Sequence, residues 1–190
     1  DYMESSSLAR AEWMKVYSLF FNCEELVEKL FEEVERNYKA QTDMAHQLNS
    51  KNEIFTERLM SGTWYCPGGT STIAQLIKDA NGIYSFAENE KAGSIPLTFE
   101  QVFAKTQQAK VWAFTYNGEK DMTMGDLLKE NDRYKALKVV SHGSVYACNA
   151  SKVPLFEETP FRPDWLLHDF IIMLHPNHFQ ANQLKYYKKL

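Results

Sequence analysis

The chain has 190 residues, 44% of them hydrophobic, with a formal charge of −4 and a pI near 5.8. That apolar content can close the core of one domain, or of one lobe with an appendage, so the chain reads as globular and not disordered. Basic residues are scattered among acidic ones, which gives no electrostatic reason to expect nucleic acid as partner, and the most apolar late segment, Trp165 to Leu174, falls far short of the roughly 20 residues that cross a bilayer.

The sequence starts at Asp1, with no starting methionine, signal peptide or lipid-attachment cysteine near it, and so reads as a mature or trimmed piece. Ser7 to Phe21 is a predicted helix, with Leu8, Ala11, Trp13, Val16, Tyr17 and Phe20 as its apolar face. Asn22 interrupts it. A second helix is predicted from Glu24 to Leu48, with apolar residues three and four apart; at about 1.5 Å per residue it would be a strut more than 30 Å long. The polar run Asn49 to Asn52 ends this helical part.

Glu53 to Asn81 reads as strand, tight turn and helix: Ile54, Phe55, Thr56, Thr63, Trp64 and Tyr65 suit a strand, Pro67, Gly68 and Gly69 a turn, and Ile73, Leu76, Ile77 and Ala80 a helix. Asn81-Gly82 follows at a helix-stopping position, where Asn tolerates left-handed geometry. Next come a short strand, Ile83 to Phe86, and a polar loop, Glu88 to Ser94. Thr98 and Gln101 form a capping box for a helix from Phe99 to about Gln107. Val111 to Thr115 is a buried strand, Asp121 to Leu137 is helical in one or two pieces, and Lys138 to Ser141 and Ser144 to Cys148 are strands around a turn at His142-Gly143. Pro163 opens a last helix, Asp164 to His175, stopped by Pro176. Strands alternating with helices predict an α/β fold, a Rossmann-like, mostly parallel sheet with helices on both faces, after a long linker helix.

Signals for chemistry are few. The Pro67 to Ser71 turn lacks the phosphate-loop lysine, the G-x-G-x-x-G pattern and a nucleophile elbow, but leaves a second reading open: a small α/β enzyme or nucleotide-binding domain that uses this turn for a phosphate. His168 and His175 stand about 10 Å apart on a helix, too far for one ion, so no metal site is expected. Cys66 and Cys148 both fall near strand ends, where a bridge or two buried thiols are both open. What stands out is aromatic and polar residues where strands yield to loops: Trp64 and Tyr65, Tyr116 and Asn117, Phe161 and Arg162.

The long helix followed by a strand, G-T-W-Y-C-P-G-G-T-S-T-I-A-Q-L-I-K-D-A-N-G, I-P-L-T-F-E-Q-V, V-W-A-F and F-R-P-D-W-L-L-H-D-F-I-I-M-L-H-P, resembles the substrate-binding proteins of ABC importers for iron–siderophore, haem and cobalamin. In that class a rigid helix joins two α/β lobes. The resemblance covers nearly all of the chain from Leu8 and implies a helical segment with the interlobe strut (1–48) and a carboxy-terminal lobe (49–190), with an amino-terminal lobe outside this sequence. It also implies a non-enzymatic, extracytoplasmic protein, lipid-anchored through that outside part, working with a membrane permease and its ATPase. The ligand positions carried over are Trp64 and Tyr65, Ser94 and Ile95, and Phe161 with Arg162; Tyr116 and Asn117 are added from strand-end geometry. Glu100 falls where the family's permease-docking glutamate is expected, although a first-turn glutamate also has a plain helix-dipole explanation. No Tyr and His cluster would ligate bare iron, so the implied ligand is a metal chelate or macrocycle, an iron–siderophore, haem or corrinoid, gripped by aromatic faces and Arg162. No cofactor of the protein's own is implied.

Overall fold

The computed structural model describes residues 4, 6–49 and 51–190; Asp1 and Ser50, part of the polar run after the long helix, lie outside them. Helix α1 (Ser7–Ser18) is capped by the Ser6 hydroxyl, which accepts from the Ala9 N–H. It stops three residues short of the predicted Phe21, and Asn22 takes a positive φ of 51° as the chain turns back. Helix α2 (Glu24–His46) is the predicted strut. It runs 23 residues and buries Phe31, Val34, Tyr38 and Ala45, spaced three, four and seven apart along one stripe.

Strands β1 (Glu53–Thr56), β4 (Ile83–Tyr84), β6 (Val111–Tyr116) and β7 (Ser144–Asn149) form a parallel sheet, closed on one side by the antiparallel β8 (Lys188–Lys189), in the order β4-β1-β6-β7-β8. Strands β2 (Leu59–Met60), β3 (Thr63–Pro67) and β5 (Ser94–Leu97) make a separate antiparallel sheet. The helices between are α3 (Thr72–Asp79), α4 (Phe99–Lys105), α5 (Met124–Glu130), α6 (Lys138–His142), α7 (Leu155–Glu158) and α8 (Pro163–Leu174), with short 3-10 turns at Asp132–Ala136 and Ala181–Gln183. The mostly parallel α/β architecture is thus as expected.

Three readings change. The Trp64 and Tyr65 strand leaves the main sheet for the small one. Ser94, read as the end of a loop, and Ile95 after it are strand residues paired with Pro67 and Cys66. Lys138 to Ser141 is helix, since residues 138–142 stack on the preceding 3-10 turn, with Val139 buried and Val140 packed against the core.

The core joins both sheets to α8, whose ten buried residues make it the central helix. Asp169, fully buried on α8, accepts the N–H groups of Lys185, Tyr186 and Tyr187 at 2.7, 2.8 and 3.1 Å and so holds the segment that leads into β8. Asn81, at φ 56°, donates to the Ala45 and Leu48 carbonyls at 3.0 Å each and ties the end of α2 to the end of α3.

Candidate functional site

Four parallel strands end on one edge of the sheet, at Thr56, Tyr84, Tyr116 and Asn149, and ligands of open α/β sheets collect outside such carboxyl ends. The rim there is braced by Asn149, which donates to Gly118 O at 2.8 Å and accepts from the N–H groups of Gly118 and Ser151 at 3.2 Å each. Tyr116 braces it too: its hydroxyl accepts from the Met122 N–H at 2.6 Å.

These contacts sort the sequence-derived site residues into two sets. Tyr65 is 50% exposed, Ser94 and Asn117 are exposed, and Phe161 is exposed too, in an edge-to-face contact with Tyr17 at 6.2 Å. Trp64, Ile95 and Tyr116 are instead buried. Trp64 is fully so: its Nε1 donates to Thr56 O at 2.9 Å, and its ring packs among Phe55, Trp112 and Tyr134. It pins β3 to β1 and offers no face to a ligand. Side chains alternate along β3, so Trp64 and Cys66 face in while Tyr65 faces out. Ile95 lies opposite Cys66 on the same inward face.

Arg162 is corrected as well. Its guanidinium makes a two-pronged pair with Asp164 at 2.9 and 2.7 Å, lies 3.3 Å from Glu33 on α2 and stacks 3.9 Å from the Trp165 ring centre. Asp164 is 1% exposed and also receives Asn37 Nδ2 from α2 at 3.5 Å. A guanidinium committed in this way through Nε and Nη2 bolts α8 to the strut.

The sequence reading missed Glu57 and Arg58, which leave the sheet at the end of β1. The strand-end rule that singled out Asn117 would have found them too. Glu57 takes a φ of 66°, and burial raises its carboxyl to about 7, against the opposing pull of Arg58 and the Thr115 N–H. Arg58 Nη1 donates to Glu130 Oε2 at 2.8 Å.

Glu100 stands exposed in the first turn of α4, next to the Thr98 and Gln101 capping box, and pairs with Arg133. Its own helical N–H, Arg133 and Thr98 hold its carboxyl below the ordinary glutamate range. Arg133 in turn lies 4.1 Å from the Phe99 ring centre.

The Pro67 to Ser71 turn is built for another contact than phosphate. A Cβ on Gly68 would sit 2.0 Å from Lys91 O, and one on Gly69 would sit 2.4 Å from the carbonyls of Ala87 and Asn89. Both glycines therefore exist to let the 87–93 loop pass close, and they face carbonyl oxygens that would repel an anion. A cavity of about 780 Å³ lies on this flank among Tyr38, Gly69, Ser71, Gln75, Lys78 and Tyr84. Among the described residues no three His, Cys, Asp or Glu side chains come together to hold a metal, and Cys66 and Cys148 are both free, buried thiols.

Comparison with known proteins gives the geometry its context. An uncharacterized lipoprotein of Methanocaldococcus jannaschii is 23% identical over 192 residues, covering 100% of this chain and 44% of its own length. A second, uncharacterized protein of that organism is 24% identical, with 57% of its length covered. The chain thus spans about half the length of the curated relatives it matches. The TroA-like periplasmic binding protein FepB of Veillonella parvula superposes with a TM-score of 0.71 at 15% identity, over 95% of this chain and 55% of that one. The periplasmic vitamin B12 binding protein BtuF of Vibrio cholerae does so with a TM-score of 0.70 at 16% identity, over 95% and 66%. Both share the fold. Residues 3–151 match the family described as periplasmic binding protein, whose members are solute-binding proteins and not enzymes, and with most of its length inside that match this chain belongs to the periplasmic binding protein family.

Proposed function

We propose that residues 1–48 supply the strut and 49–190 the carboxy-terminal lobe of a two-lobed, extracytoplasmic solute-binding protein that captures a metal chelate and delivers it to an ABC permease. The observation that carries the two-lobed reading is the tip where α1 turns into α2. Leu19, Phe20, Phe21 and Leu26 are between 64% and 79% exposed there, an apolar cluster of the kind that marks a contact surface. The occupant that fits is the amino-terminal lobe of the longer relatives. On this lobe the ligand would meet Tyr65, Ser94, Asn117 and Phe161, the site residues that reach the surface. Glu100, exposed at the start of α4, is the group offered to the permease. Anchoring by lipid fits the M. jannaschii relative, which is described as a lipoprotein. The solved neighbours' names point to an iron–siderophore, haem or cobalamin-like ligand.

The deciding experiment uses the full-length protein, titrated with haemin, cyanocobalamin and a ferric siderophore while intrinsic fluorescence is followed. Saturable one-to-one binding of one of these, weakened at least tenfold by Tyr65→Ala, is expected. A thermal shift with ATP or ADP and none with any chelate would reverse the assignment in favour of the Pro67 to Ser71 turn.

A further inference from the structure

Of the two arginines near strand or helix ends at the rim, Arg162 is held by Asp164, Glu33 and Trp165, whereas Arg58 meets one carboxylate, Glu130. Arg58 follows Glu57, whose φ of 66° turns the chain out of the β1 ladder. The Arg58 guanidinium lies 5.9 Å from the Phe114 ring centre, which limits its swing, and it is held from one side, by Glu130. Its Nε is buried with no hydrogen-bond partner among the described residues. Beside it opens a cavity of about 420 Å³, lined by Arg58, Leu59, Ser61, Gly62, Glu130 and Tyr134. Its walls are the β2–β3 hairpin, with Ser61 and Gly62 at φ of 49° and 85°, and the end of α5.

We propose that Arg58 is the anion-reading residue of this lobe: it pairs with an acidic oxygen, carboxylate, hydroxamate or catecholate, on the rim of a metal chelate, and Glu130 is the resting counter-ion that the ligand displaces. The proposal rests on the chelate-binding reading above. Chemistry favours the exchange. A planar guanidinium binds two oxygens of one anionic group at once, which the single Nη1 contact to Glu130 leaves undone. The Glu130 side chain is 37% exposed, so it returns to water at little cost.

The test is affinity of the full-length protein for three probes: haemin with its two propionates, a ferric tris-catecholate, and cyanocobalamin, which lacks an acidic rim. Arg58→Gln is expected to weaken the anionic probes tenfold or more and cyanocobalamin less than twofold. Arg58→Lys should recover part of the loss, and Glu130→Gln should tighten the anionic probes about threefold. The Glu130→Gln result stands even where Arg58→Gln folds poorly. Anionic probes bound equally by wild type and Arg58→Gln, or a wild type that prefers cyanocobalamin, would overturn the role of Arg58 and leave the chelate-binding reading in place. A wild type that binds none of the three removes both.

Discussion

Glu57 holds an ionisation that the fold makes costly. Burial raises its carboxyl from 4.5 to about 7, so the folded chain binds this proton more tightly than the unfolded one. The sign follows: the stability gained is fully present below pH 4.5 and is lost as pH climbs through about 7. At about 1.4 kcal/mol per unit, the loss is on the order of 3 kcal/mol. Glu57→Gln keeps an oxygen for the Thr115 N–H and removes the titration. Urea unfolding at pH 4.5 and pH 8 should therefore show wild type losing 2 to 3 kcal/mol more than the variant between the two, about the loss just given. An equal loss would mean that the carboxyl is solvated. None of this was visible as a letter in E-I-F-T-E-R. A glutamate after a strand reads as a solvated rim residue, and only the turn at φ 66° draws it inside. Trp64 and Tyr65 show the same limit from the other side: both suit a strand end, but strand alternation allows one of a neighbouring pair to reach a ligand, and which one depends on the face that β5 and the core already cover.

Elements were legible where their signal is local. The Thr98 and Gln101 capping box, the 23-residue strut and the Pro163 helix start all fall within one or two residues of their expected places, because caps, periodicity and proline act over a single turn. Elements defined by distant partners were not. Ser94 to Leu97 becomes a strand because β3, nearly thirty residues earlier, lies beside it. Asn81 joins both kinds: its left-handed φ was expected, but its side chain reaches 33 and 36 residues back to Leu48 and Ala45. Two substitutions separate these roles. Asn81→Gly keeps the backbone and loses two hydrogen bonds to the Ala45 and Leu48 carbonyls, a cost of about 1 to 3 kcal/mol. Asn81→Ala adds the left-handed penalty, about 1 kcal/mol more. Amide exchange should quicken in the last turn of α2 in both variants while the centre of α8 stays protected. Exchange that rises equally everywhere would show Asn81 acting on global stability and not on the strut's anchorage.

At the scale of the whole molecule, the way the strut is fixed to the lobe sets how far a second lobe can move against this one, and Arg162 stands at that joint. It was read as a ligand grip from the family resemblance and from its place in the loop before the last helix; the partner that claims it, Asp164, is two residues away, but the strut residues Glu33 and Asn37 are more than a hundred residues off. The two contacts differ in weight. Asp164 is buried, so removing its guanidinium partner leaves a carboxylate with Asn37 alone, a loss of about 3 to 5 kcal/mol, whereas the half-exposed Glu33 contributes less than about 1 kcal/mol. Arg162→Ala should thus lower the melting temperature sharply, Arg162→Lys should recover little because an ammonium cannot make the two-pronged pair, and Glu33→Gln should change little. In full-length protein, Arg162→Asn, which keeps a hydrogen-bond donor for Asp164, should broaden the distance distribution between spin labels placed on the two lobes, with the probe contacts at Tyr65 untouched. If chelate affinity instead falls while melting and the interlobe distances stay as in wild type, then Arg162 faces the guest, and the joint between strut and lobe lies elsewhere on α8.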